Sequence, residues 1–338
     1  MKATDIQQLL RVADPSDRPQ LIETHISWVL LRGDFAYKIK KPVRFDFLDT
    51  ASLAARRHLC QEELRLNRRL APEMYLSVVP VRQTPAGPVI GGPEGPVCDY
   101  SVKMRRYDPQ DQLDVALRRG AVSPQAIAQL GAQHRAFFAQ APEVRVSPQP
   151  PAAHRFQGLG HLLPFLGQYL GTRLVQQTQA SLWAGRQAGR RLLPLMALRQ
   201  QEGWVRDLHG DLHSANIFLK PRPTVFDCLE FSPAMRQLDL LDEAAFLGMD
   251  FCAQGHPELE TVFLKALLPE GYPFSPHVKP LYQYFKWYRA FVRAKVHALQ
   301  ARLAPDPKHL ERALTNCQRY LNLMSHYSRT QDNIRLFS

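Results

Sequence analysis

His209-Gly210-Asp211-Leu212-His213-Ser214-Ala215-Asn216, followed by Ile217-Phe218-Leu219 and then by Val225-Phe226-Asp227, is the stretch that decides the fold. An acid, an amide five positions later and a second acid beyond a short hairpin are the spacing that phosphoryl-transfer sites use. Gly210 removes a side chain where the loop bends sharply, and His209 is placed to brace the loop through hydrogen bonds. Ile217 to Leu219 reads as a strand that turns at Lys220-Pro221-Arg222-Pro223 and returns through Thr224 to Phe226, setting Asp227 beside Asn216.

The chemistry assigns each position a role. Asp211 is the expected catalytic base, accepting the proton of an attacking hydroxyl, with His209 as its support. Asn216 and Asp227 are the expected metal ligands, oxygen donors suited to Mg²⁺. The order His-Gly-Asp-Leu-His-x-x-Asn, followed by a Phe-Asp strand end, resembles the signature of the aminoglycoside phosphotransferase and choline kinase group. Those are small-molecule kinases with the protein-kinase fold. Ala36-Tyr37-Lys38-Ile39-Lys40-Lys41-Pro42 brings the resemblance closest to bacterial aminoglycoside-phosphotransferase-like proteins that often carry an additional P-loop ATPase domain. No Gly-x-x-x-x-Gly-Lys-Ser/Thr string occurs in these 338 residues, so that domain is expected to be absent.

Upstream, a kinase-type site needs a strand lysine for the phosphates and a helix carboxylate to hold it. Trp28 to Leu31 and Phe35 to Lys40 read as a hairpin through Arg32-Gly33-Asp34, with Ala36, Lys38 and Lys40 on one face. Lys38 is the expected phosphate-binding residue and Lys40 the alternative. A helix over Thr50 to Leu70, capped by Asp49 or Thr50, puts Leu59, Glu63, Leu66 and Leu70 on one stripe. Glu63 is expected to pair with Lys38, and Glu62 is the alternative, an exposed acid among Arg56, Arg57, Arg65, Arg68 and Arg69, which read as a solvated helix face. No Gly-x-Gly-x-x-Gly precedes the lysine strand. The turn Glu23-Thr24-His25-Ile26-Ser27 stands in its place, and the hydroxyls of Thr24 and Ser27 are the expected cover for the phosphates. Val97 to Met104 reads as a central strand whose exit, Met104-Arg105-Arg106-Tyr107, is the expected adenine site.

These readings add up to an α+β, protein-kinase-like two-lobe fold. An antiparallel-sheet N-lobe spans 1–104, a hinge 105–108, and a mostly helical C-lobe 109–338. Ser123-Pro124 opens a helix to Gln140 with His134 at the core edge, Pro142 to Pro151 is a connector, and Leu174 to Gln201 and Gln237 to Phe251 are helical. In the last, Asp239 and Asp242 either brace the catalytic loop or favour a helix N-terminus. Glu230 is placed to reach the metal through water. Along the helix near Pro280, Lys286, Arg289, Arg293 and His297 form a basic stripe, either solvated or bordering an acceptor pocket, with Arg289 and Arg293 as candidate substrate contacts.

The expected function is ATP- and Mg²⁺-dependent phosphate transfer to a hydroxyl of a small molecule. The balance of 43 basic and 31 acidic side chains, a formal +12, suits an anionic acceptor better than a polycationic aminoglycoside. Two other classes fit parts of the pattern: a non-catalytic nucleotide-binding regulator, given the missing glycine-rich loop, and a basic nucleic-acid-binding protein on the same fold, although no nucleic-acid module is recognisable. Five cysteines without Cys-x-x-Cys disfavour a disulfide framework or a zinc site. No apolar run has the length of a membrane span, so the expected location is cytoplasmic.

Overall fold

The computed structural model describes residues 1, 3–10, 19–45, 48–145, 157–272 and 278–332. They group into two compact units, Met1–Ala116 with His209–Asp211 and Ala215–Arg236, and Leu117–Leu208 with Leu212–Ser214 and Gln237–Ser338. The fold is α+β, with a six-stranded antiparallel sheet in the first unit and mostly helices in the second.

In the first unit, α1 (Ala3–Leu9) precedes β1 (Gln20–Glu23), β2 (Ser27–Arg32) and β3 (Phe35–Lys40). A short pair, β4 (Arg44–Phe45) and β5 (Leu48–Asp49), leads to α2 (Leu53–Asn67), then β6 (Tyr75–Thr84), β7 (Gly87–Ile90) and β8 (Val97–Arg105). The six-stranded sheet runs β1-β2-β3-β8-β6-β7, and every neighbouring pair is antiparallel. β8 is central, as its apolar alternation implies. The hairpin of β2 and β3 pairs Trp28 with Ile39 and Leu31 with Ala36. Alternation sends Trp28, Leu30 and Ile39 into one core with Ile6 of α1 and Val81, and Leu31 and Ala36 into another with Cys60, Met74, Tyr75, Val102, Met104 and Phe218. Lys38 and Lys40 share the face of Ala36, so two ammonium groups enter the layer that also holds Leu31 and Val102. β6 and β7 were not anticipated from the sequence. Pro80 sits within β6, where two register shifts bend the strand.

Helix α2 is shorter than its hydrophobic stripe implies. Ser52, not Asp49 or Thr50, is the N-cap, its side chain accepting from Ala55 N at 3.1 Å. Thr50 instead fastens the preceding turn, its hydroxyl bonding Lys41 O at 2.5 Å and Val43 N at 2.9 Å. Leu59, Glu63 and Leu66 are buried together, as the stripe predicts. Arg56 does not belong to a solvated arginine face. It is buried, with Nε 2.9 Å from Asp99 Oδ1, and its guanidinium also bonds the carbonyls of Thr50 and Ala51.

Helix α3 (Leu113–Arg118) is followed by the helices α4 (Pro124–Gln140), α5 (Gln157–Gly160), α6 (Leu163–Leu170) and α7 (Thr172–Gln201), and by β9 (Val205–Asp207). Ser123 caps α4 with Pro124 in its first turn. Most of the proline-rich connector after Pro142 lies outside the described residues. After the loop of residues 209–216 come β10 (Ile217–Phe218), β11 (Thr224–Val225) and α8 (Pro233–Arg236), then β12 (Gln237–Asp239), α9 (Leu240–Gln254), α10 (Pro257–Leu267), α11 (Lys279–Arg302) and α12 (Pro307–Asp332). The helix expected from Gln237 begins only at Leu240, because Gln237 to Asp239 pair with β9 and Asp239 caps α9, accepting from Leu241 N at 2.7 Å. Core packing in this unit is tight. The buried ring of Trp287 sits where a Cβ on Gly185 would be only 2.2 Å away, and its Nε1 donates to Ser181 Oγ at 2.9 Å. No helix among the described residues is long and apolar enough to cross a membrane.

Candidate active site

The residues singled out by spacing meet in the first unit. His209 is fully buried, and two hydrogen-bond contacts of its ring orient it: Nε2 lies 3.0 Å from Phe226 O, and Nδ1 accepts from Asp211 N at 3.3 Å. Together they assign the proton to Nε2. Phe226 N in turn donates to Asn216 O at 3.0 Å. The residue before Asp227 is thus tied to the loop on both sides, and this joins the two halves of the motif. Asn216 Nδ2 donates to the carbonyl and to Oδ2 of Asp211, both at 3.0 Å. With the amide nitrogen spent on Asp211, the side-chain oxygen is the end that can take a cation.

Gly210 is required by geometry. Its φ is +84°, and a Cβ there would lie 2.7 Å from the carbonyl oxygen of Met235. Gly210→Ala is therefore expected to destabilise the chain by about 1–3 kcal/mol, because both the backbone conformation and a backbone neighbour oppose it. Chemical denaturation measures it, and an unchanged midpoint would remove the steric argument.

Asp227 is the one non-glycine with positive φ among the described residues, at 64°. Aspartate tolerates this region better than most side chains, and the structure holds it there. Asp227 N donates to Tyr75 Oη at 3.1 Å, and Cys228 N donates to Asn67 Oδ1 at 2.9 Å. The bend brings Asp227 Oδ1 to 2.6 Å from Lys38 Nζ. On its other side, Lys38 Nζ is 2.8 Å from Glu63 Oε1. Glu63 is completely buried, and its second oxygen is 2.5 Å from Lys40 Nζ. Lys40 also hydrogen-bonds Glu230.

Charge and burial oppose each other here. Burial alone would raise the Glu63 carboxyl, but Lys38 and Lys40 on its two oxygens outweigh this and hold it at about 2. Burial would lower both ammonium groups, yet Asp227 and Glu63 beside Lys38, and Glu230 and Glu63 beside Lys40, raise them. Glu230 goes up, because burial dominates there. Glu62 turns away to Arg65, 2.7 Å distant.

The other expected residues lie as follows. Thr24 closes the turn between β1 and β2: its Oγ1 accepts from Ser27 N at 2.9 Å, and its N donates to Ser27 O at 2.9 Å. Ser27 Oγ is buried with no hydrogen-bond partner among the described residues, on the strand position opposite Lys40. Met104 is buried in the core with Leu31 and Ala36. The backbone N–H groups of Arg105 and Arg106 donate to Met74 O and Asp34 O, each at 2.8 Å. Tyr107 packs on Phe218 at 5.2 Å between centroids, and Phe218 stacks on Phe226 at 4.8 Å. The basic stripe of α11 is not a solvated face. Arg289 is buried with Nε 2.7 Å from Asp242 Oδ1, and Lys286 lies 2.7 Å from Glu260 Oε2. Arg293 packs over the ring of Tyr320 at 5.6 Å. His297 is buried and, with Arg293 beside it, falls to about 4.

Asp239 receives the fork of Arg199 at 2.6 and 2.8 Å as well as capping α9, so its helix-terminal reading is the one seen. His134 is buried, 3.2 Å from Glu243. Asp250 was missed in the sequence. It accepts from Ser214 N at 2.9 Å, from Ser214 Oγ and from Tyr320 Oη at 3.0 Å, which fixes Ser214 within the loop of residues 209–216. An acid inside the apolar run Ala244 to Phe251 was the available signal. Tyr75 and Asn67 were also missed, although Asn67 is one helical turn from Glu63 on the buried stripe.

No protein-family profile matches the chain. It is 31% identical over 287 residues to uncharacterized proteins of Mycobacterium tuberculosis and Mycobacterium bovis, a match that covers 82% of this chain and 54% of theirs. The chain thus spans about half the length of the curated relatives it matches. Among solved structures, it is similar to an amicoumacin kinase in complex with AMP-PNP, Ca²⁺ and Ami, with TM-score 0.52 and 13% identity over 99% of this chain and 94% of that one. It is also similar to a Plasmodium vivax ethanolamine kinase, with TM-score 0.50 and 10% identity over 93% of this chain and 85% of that one.

Proposed function

From a chain with the fold of these small-molecule kinases, we propose an ATP- and Mg²⁺-dependent phosphotransferase that acts on a hydroxyl of a small molecule. The observation that carries it is the convergence of Lys38 with both Glu63 and Asp227 beside the Asp211–Asn216 pair. In that reading Asp211 takes the proton of the acceptor hydroxyl. Asn216 and Asp227 hold the divalent cation, Lys38 holds phosphate oxygens, and Glu63 holds Lys38. Among the described residues no three His, Cys, Asp or Glu side chains gather as a metal cage, and Mg²⁺ is commonly bound by one or two protein oxygens together with phosphates.

The donor set fits a nucleotide. Ser27 Oγ is an orphaned buried hydroxyl on the lysine face, a donor for a phosphate oxygen at the place where a glycine-rich loop would stand. Tyr107, Phe218 and Phe226 supply an aromatic wall suited to a purine. AMP-PNP with a divalent ion, in the amicoumacin kinase of like fold, is the same class of ligand. The excess of basic side chains favours an anionic acceptor, although Arg289 and Lys286 are engaged with Asp242 and Glu260. A cytoplasmic location belongs to the same reading, with all five cysteines free.

Asp227→Ala and Asn216→Ala are each expected to weaken Mg²⁺-dependent nucleotide binding by about tenfold, since each removes an oxygen from a hard cation. Calorimetry with and without Mg²⁺ measures it. Native affinity indifferent to the metal would overturn the two-ligand assignment. ATP binding without transfer to any acceptor in a metabolite screen would instead favour a regulator.

A further inference from the structure

Lys40 has no obvious place in this scheme, yet it is more deeply buried than Lys38. It lies two residues further along β3 on the same face, 1% exposed, with its ammonium between Glu63 Oε2 at 2.5 Å and Glu230. Glu63 consequently divides its carboxylate, with Oε1 to Lys38 and Oε2 to Lys40. The cluster holds three carboxylates and two ammonium groups. Asp227 is its open edge, with 43% of its side chain exposed, whereas the side chains of Glu63, Lys40 and Glu230 are 0%, 1% and 4% exposed.

Resting on the phosphotransferase reading, we propose that Lys40 is a positioning residue for Lys38 and not a second phosphate ligand. By neutralising Glu230 and the second oxygen of Glu63, it leaves Lys38 held by one buried oxygen and directed to the Asp227 edge. To reach a phosphate, Lys40 would have to leave two buried carboxylates, which are strongly destabilised without a counter-charge. Without Lys40, Glu230 and Glu63 would both depend on Lys38, the remaining cation of the cluster. In a dry site an uncompensated carboxylate would draw that ammonium inward, off the nucleotide.

The test compares the affinity of Mg·ADP with that of adenosine, by calorimetry, in the full chain. The ratio reports the grip on the phosphates, whereas a general loosening weakens both ligands alike. Lys40→Met is expected to lower the preference for Mg·ADP by about tenfold or more, the worth of one charge-assisted contact. Lys40→Met/Glu230→Met, which removes the stray carboxylate together with its partner, is expected to return the preference to within about threefold of native. A single variant equal to native, or a double variant as poor as the single, would overturn the proposal, the latter making Lys40 a phosphate ligand. If Lys40→Met does not fold, as judged by thermal melting, the double variant decides alone: a near-native preference supports the positioning role and a tenfold loss refutes it. If the native chain binds Mg·ADP no better than adenosine, the phosphotransferase reading itself fails and takes this inference with it.

Discussion

Asp211→Asn is expected to lower phosphate transfer by a factor of ~10² to 10⁴ while changing nucleotide affinity by no more than about threefold. The separation follows from where the carboxylate acts. A base takes its proton in the transition state, so its loss is felt in turnover and not in the binding of ATP. The loop should survive the change. Asn216 Nδ2 bonds the backbone carbonyl of Asp211 at 3.0 Å as well as its side chain, and His209 Nδ1 accepts from the backbone N–H of Asp211 at 3.3 Å. Neither backbone contact is touched by the substitution. The measurement is ATP turnover with an acceptor found by metabolite screening, set beside calorimetric nucleotide affinity for the same preparation. Native turnover in the variant would exclude Asp211 as the base.

Glu63→Ala is expected to lower the stability of the folded chain by about 3–5 kcal/mol, because it leaves two buried ammonium groups without the carboxylate they share. Glu63→Gln keeps the shape and removes the charge, so it isolates the electrostatic part. The sign of the pH dependence is fixed by the direction of the shift. Glu63 is held at about 2 in the folded chain against an ordinary value of 4.5, so the folded state binds fewer protons than the unfolded one in that interval. Its stabilising contribution is fully present above pH 4.5 and is lost as the pH falls toward 2. Urea denaturation across this window should show the acid loss in the native chain and a flatter profile in Glu63→Gln. Parallel profiles would mean that Glu63 is not the group that the two lysines hold ionised.

Much of the fold, and the grouping of the candidate site's residues, was legible because the signals are local. The spacing of Asp211, Asn216 and Asp227 is a property of one short loop and hairpin, so the sequence places these residues near one another whatever the rest of the chain does. The alternation of β3 put Ala36, Lys38 and Lys40 on one face, and the helical period put Glu63 on the stripe with Leu59 and Leu66. Both are periodicities of the backbone itself. Gly210 was legible for the same reason, although only the structure shows that the carbonyl of Met235 is what excludes a side chain. What the sequence could not decide is which distant polar groups meet. The pairings of Lys40 with Glu230, Arg56 with Asp99, Arg289 with Asp242 and Ser214 with Asp250 join residues that lie 190, 43, 47 and 36 positions apart. A charged side chain on a helix reads as solvated until a partner of opposite sign is brought to it, since burial without that partner is prohibitively unfavourable. The arginines of α2 were therefore expected in water and the basic stripe of α11 either in water or at a pocket rim, and tertiary packing took Arg289, Lys286 and Arg56 inside. The same long-range folding placed Glu63 against Lys38 and Lys40 and not Glu62 against either, because only Glu63 faces the sheet, where its charge is compensated twice.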